Sequence, residues 1–112
     1  MSTRSEARLW VAQRATAAIL AFCVFVHLAT IIYAVRGGLS AAEILDRTRG
    51  NLAWGAFYAL FVFAAGIHGA IGLRTVAAEW LGFRGAVANA TMAAAALAIV
   101  ALGLRAVAAV VL

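Results

Sequence analysis

His27 and His68 are the chain's two histidines, and each sits inside a long apolar run. Placing an ionisable group within a membrane is expensive, so such a residue points to function by default. Neutral imidazole is a good ligand for haem iron, and a b-type haem held by two histidines between transmembrane helices is a natural use for the pair. The plainer alternative is that each ring hydrogen-bonds a backbone carbonyl or a polar neighbour. Arginines are the other chemical groups of note, because haem propionates are anionic and prefer the membrane surface. Arg74 lies six residues after His68, about 9 Å along a helix, within reach of such a propionate. Arg14 is expected at similar depth. Arg36, nine residues after His27, has the same spacing logic at the opposite face, though snorkelling to headgroups explains it more simply.

These residues need a membrane scaffold to hold them. Of the 112 residues, 67% are hydrophobic and 12% charged, with no proline. Soluble domains average roughly 45–50% apolar and about 25% charged. A soluble domain this small buries only about two-thirds of its surface, so lipid must be the solvent for most of this chain. The composition excludes a disordered chain and a disulfide scaffold. One cysteine, Cys23, excludes an intrachain disulfide. The net charge of +5 comes entirely from arginines, too dispersed for a nucleic-acid surface.

A membrane-crossing helix needs about 20 apolar residues. The sequence predicts an all-α, single-domain membrane protein, residues 1–112, with three spans at about 9–35, 52–73 and 85–104. The first apolar run is too long for the core of a cleavable signal and lacks a cleavage motif. Residues 1–8 are polar and expected at the membrane surface. Gly37 and Gly38 end the first helix. Ser40 and Glu43 have capping-box spacing, which predicts a short amphipathic helix on the surface between spans one and two. Residues 74–84 read as a turn region. Arg4, Arg8, Arg14, Arg74 and Arg84 on one side outnumber Arg36, Arg47 and Arg49 on the other, which predicts a cytoplasmic N-terminus.

The two histidines then lie at different depths. His27 is roughly 7 Å beyond the middle of span one and His68 roughly 9 Å past the middle of the antiparallel span two, so about 16 Å separates them. Axial ligands of one haem sit at similar depth on opposite sides of the iron. His27 and His68 of one chain therefore do not share a haem, and each needs a partner from another chain. A two-fold dimer would stack two haems across the membrane; an unlike partner could complete one or both. Ala64, His68 and Gly72 share a stripe, with Gly66 and Gly69 beside it. Small residues there admit a porphyrin, or equally another helix. Trp10, Gln13, Arg14, Glu79 and Trp80 gather near the inner interface. They offer the apolar slot, hydrogen-bond donors and proton source that a quinone site needs, or else form an ordinary interfacial belt with an Arg–Glu pair.

The residues so assembled resemble the small membrane anchors of succinate dehydrogenase and fumarate reductase. The stretch His68-Gly69-Ala70-Ile71-Gly72-Leu73-Arg74, with Glu79 eleven residues after His68, is similar to that family's second helix. Gln13-Arg14-Ala15-Thr16-Ala17 resembles the start of its first helix, and the three-helix layout matches. The resemblance implies an anchor for flavoprotein and iron–sulfur subunits, passing electrons to or from quinone, with b haem nearby. It implies that His68 is an axial ligand, that Arg14 belongs to the quinone site and that Glu79 is the acidic residue after helix two. Trp80 stands where one anchor type has a quinone-binding tyrosine. Trp10 and Gln13 depart from the serine and histidine that some members carry. His27 resembles the di-haem members, in which a fused chain supplies four histidines; two copies of this chain would supply the same four.

The leading expectation is thus a haem b anchor subunit in a bacterial inner membrane, non-catalytic alone, with about two haems per dimer. A haem-free anchor or assembly subunit is the alternative. A small transporter subunit is disfavoured because span three has only Asn89 and Thr91 near one end to line a path.

Overall fold

The computed structural model describes residues 2–112. Its order is α1 (Thr3–Arg36), α2 (Ala41–Thr48), α3 (Leu52–Leu81) and α4 (Ala86–Val111). Three helices are long and apolar enough to cross a membrane, and the short α2 lies between the first two of them. The expected architecture is therefore present.

Local chemistry sets each boundary. Ser2 caps α1, its hydroxyl accepting from Ser5 N–H at 3.2 Å. The polar N-terminal segment is not separate from span one: from Thr3 onward it forms the first turns of α1. Gly38 adopts φ 63°, and Leu39 N–H reaches back to the Ala34 carbonyl at 3.0 Å. That bond closes the helix end as a glycine C-cap should. Ser40 caps α2 as its spacing with Glu43 predicts, accepting from Glu43 N–H at 3.2 Å. Asn51 caps α3, accepting from Trp54 N–H at 3.1 Å.

Two helices outrun their expected ends. The stretch from Arg74 is not a turn: α3 continues to Leu81. It stops at Gly82, with φ 66°, where Phe83 N–H bonds the Ala77 carbonyl at 3.1 Å. A charged side chain marks the membrane boundary without stopping a helix, whereas a left-handed glycine does stop one. For the same reason α4 runs through Arg105 to Val111.

α3 is the hub, with α1 and α4 both packed against it. At about 100° per residue, the α3 residues that meet α1 (Phe57, Phe61, His68, Gly72) and those that meet α4 (Gly55, Val62, Gly66) point roughly 120° apart. The section is a V with α3 at its apex. The α3–α4 contact is close. A Cβ on Gly66 would fall 2.5 Å from Val100 Cγ2, and one on Gly103 would fall 2.5 Å from Val62 Cγ1. α2 rests on the far end of α4, where Thr48 Oγ1 donates to the Val110 carbonyl at 2.7 Å and Gly50 N–H to the Val111 carbonyl at 2.7 Å. Both bonds satisfy carbonyls that a helix C-terminus leaves open.

Burial is sparse. Among the described residues the buried set is Thr16, Cys23, Ala64, Gly66, Ala70, Ala77, Ala88 and Val111. Phe25, 78% exposed, is one of many large apolar side chains turned outward. Helix contact made through small residues, with bulky ones facing away, is the pattern of a chain packed in lipid.

Candidate functional site

The His68 ring points from α3 toward α1, where its Nδ1 lies 3.3 Å from Thr16 Oγ1. Thr16 is only 7% exposed. Its hydroxyl proton goes to the Ala12 carbonyl, 2.7 Å away. With that proton on the Ala12 carbonyl, the threonine oxygen would accept from Nδ1–H; were Nδ1 unprotonated, the hydroxyl would donate to it instead, so the contact pairs the two groups without fixing the tautomer. In the Nδ1–H tautomer Nε2 is the nitrogen whose lone pair binds a metal. In sequence Thr16 is not distinguished from its neighbours in the Gln13–Ala17 stretch, although its depth on α1 matches that of His68.

One turn further along the same contact, Gln13 turns inward against Gly72, where a Cβ would meet Gln13 Nε2 at 3.4 Å. Gln13 Oε1 is buried without a hydrogen-bond partner. The stripe through Ala64, His68 and Gly72 therefore faces α1, while Gly66 is taken up by α4. Of the two uses open to these small residues, helix approach is the one seen within the chain: Gly66 meets Val100 and Gly72 meets Gln13.

His27 sits at the other level of the V. Its ring meets Tyr58 and Phe61 edge-on, at centroid distances of 5.8 and 5.7 Å. It borders a cavity of about 500 Å³ between the arms, roofed by Ile44 and Thr48 of α2. The facing wall is apolar, with Ile99, Gly103 and Val107. Thr16 pairs with His68 while His27 pairs with Tyr58 and Phe61. Eleven residues of α1 and seven to ten of α3 therefore separate the histidines, about 10–16 Å. The expected difference in depth is present, and one haem does not bridge the two within a chain.

The arginines are spread apart. Arg74 ties both arms to the apex: Nε donates to Asn89 Oδ1 at 2.9 Å, and Nη2 pairs with Glu6 Oε1 at 3.8 Å. The ion pair at this end thus joins Arg74 to Glu6 rather than Arg14 to Glu79. By the Thr16–His68 register, Arg74 is level with Trp10 and about 6 Å nearer the helix end than Arg14, not at equal depth. Arg14 is exposed and stacks over the Trp10 ring at 5.2 Å. Glu79 borders a polar hollow of about 380 Å³ with Glu6, Arg74, Arg84 and Asn89. Trp80 is 82% exposed. The chain alone therefore does not bring Trp10, Gln13, Arg14, Glu79 and Trp80 into one slot. Arg36 is exposed in the last turn of α1, where the snorkelling reading put it.

Among the described residues no group of His, Cys, Asp and Glu could hold a bare metal ion. A lone imidazole with Nε2 available suits iron whose other ligands come from a porphyrin and a second chain. No curated protein and no solved structure matches the chain. The family model of the succinate dehydrogenase/fumarate reductase transmembrane subunit, however, matches residues 1–110. A match over nearly the whole length, on a chain of three apolar helices, means that this multi-pass membrane protein belongs to the succinate dehydrogenase/fumarate reductase transmembrane subunit family.

Proposed function

We propose that the chain is a haem b-binding anchor that passes electrons between an iron–sulfur subunit and quinone, beside a flavoprotein subunit that carries the dicarboxylate chemistry. The observation that carries this reading is the contact of His68 Nδ1 with the buried Thr16 hydroxyl at 3.3 Å, which supports an Nδ1–H tautomer with Nε2 as the ligating nitrogen. Bound haem supplies one-electron transfer at iron. His68 would hold the haem iron through its imidazole, and a second ligand would come from a second anchor chain, either a copy of this one or a related subunit. His27, at its separate depth, is the corresponding candidate for a second haem. Arg74 and Arg14 on the His68 side, and Arg36 on the His27 side, would be the cations for the haem propionates. Trp10, Arg14 and Trp80 face outward, so a quinone slot built on them takes its other wall from a partner, with Gln13 and Glu79 as polar neighbours. The arginine asymmetry supports a cytoplasmic N-terminus in a bacterial inner membrane.

The test is a dithionite-reduced minus oxidised spectrum of the purified complex, with haem counted per chain. His68→Ala is expected to abolish at least one haem, and unchanged haem content in that variant overturns the reading. A second reading, the haem-free anchor, is favoured by the close approach of α1 at Gly72 and of α4 at Gly66. A colourless complex, purified gently with its partners, would establish it.

A further inference from the structure

We infer that Thr16 is the positioning residue for His68: its hydroxyl fixes the ring's tautomer and tunes the donor strength of Nε2. The inference rests on the haem reading above and extends it to a residue that does not touch the cofactor. Thr16 is the buried polar side chain among the described residues. Burying a hydroxyl without partners is costly, and this one has three. It donates to Ala12 O at 2.7 Å, with Gln13 O at 3.2 Å beside it, and lies 3.3 Å from His68 Nδ1, from whose N–H it would accept. The first bond polarises the hydroxyl and strengthens its oxygen as an acceptor. Its bonds to the Ala12 and Gln13 carbonyls select the χ1 rotamer, so the oxygen is held in place by α1 itself. An acceptor at Nδ1–H raises the basicity of the distal nitrogen and fixes the ring plane, as outer-shell partners of ligating histidines do. A more basic axial nitrogen favours the ferric state, so Thr16 holds the haem potential down.

The experiment uses the intact purified complex and reads haem per chain and the haem midpoint potential in wild type, Thr16→Val, Thr16→Ala and Thr16→Ser. Valine keeps the shape and loses the acceptor; serine keeps the acceptor and loses the methyl group. The expected result is a more positive potential, or loss of the His68 haem, in the valine and alanine variants, and wild-type behaviour in serine. Alanine adds no bulk and decides the matter if the valine chain does not assemble. Wild-type potential and haem content in the valine and alanine variants overturn the inference and leave the haem reading standing. So does an equal shift in serine, which would mean packing alone. Absence of b haem from the wild-type complex, or its full retention in His68→Ala, overturns the haem reading itself and the inference with it.

Discussion

His68 and His27 are both half-buried imidazoles in apolar helices, and their neighbours make them different groups. His68 has a buried polar partner, the Thr16 hydroxyl, at its Nδ1. His27 has aromatic edges and an apolar cavity. Replacement of His27 by alanine should therefore leave the His68 haem intact and remove only a second haem signal, read as haem per chain in the same difference spectrum. Loss of all haem in His27→Ala would mean that the two levels are coupled. Gln13 is the residue whose role is least visible in sequence. It looks like an interfacial polar group, yet its amide is wedged against Gly72. The histidines themselves were legible because ionisable groups are conspicuous in a run of alanine, valine and leucine. Thr16 was not, because a threonine in a helix reads first as a satisfied hydroxyl bonded to its own backbone. The contact across to α3 depends on the register of two helices, which no local pattern states.

Caps and glycines govern the elements. Ser40, Gly37 and Gly38 do locally what their types predict, so the α1–α2 boundary was readable. The apolar run and the helix end at different places in α3 and α4, because Arg74 and Arg105 close the apolar run but not the helix. Arginine leaves the membrane by its long stem while its backbone stays helical. Glycines inside helices are a second case in which pattern and role part. Gly66 and Gly69 look alike in sequence, but only Gly66 has a valine pressed against it. Gly66→Ala should loosen the α3–α4 contact by about 1–3 kcal/mol. Gly69→Ala meets Ile99 at an ordinary 3.7 Å and should be neutral or slightly stabilising. Thermal melting of the purified complex separates the two, and equal melting would contradict the packing described. The Arg74–Glu6 pair has less weight. Its side chains are 27% and 57% exposed, so Glu6→Gln should change stability by less than about 1 kcal/mol in the same assay.

At the scale of the whole molecule, one chain provides only half of any bis-histidine site. It also hides very little of its own surface, so most of its contacts are with lipid or with partners. An isolated monomer in detergent is therefore expected to carry no stoichiometric haem, with colour appearing only in species that contain a second anchor chain. Size-exclusion chromatography with simultaneous protein and haem absorbance tests this. Haem co-eluting with a monomer would exclude the shared-ligand arrangement. The staggered depths needed for that arrangement were readable from span lengths alone. The V-shaped section was not, because it depends on which face of α3 each neighbour takes.

The central place of α3 bears on how the protein is made. Synthesis delivers α1 first, then α3, then α4. The first long pair to enter the membrane is thus the hairpin in which Thr16 meets His68. α4 joins a different face of α3 without having to slide between two helices already in place. The Thr16–His68 contact therefore needs only the first two long helices, and the pair that would hold a cofactor does not wait for α4.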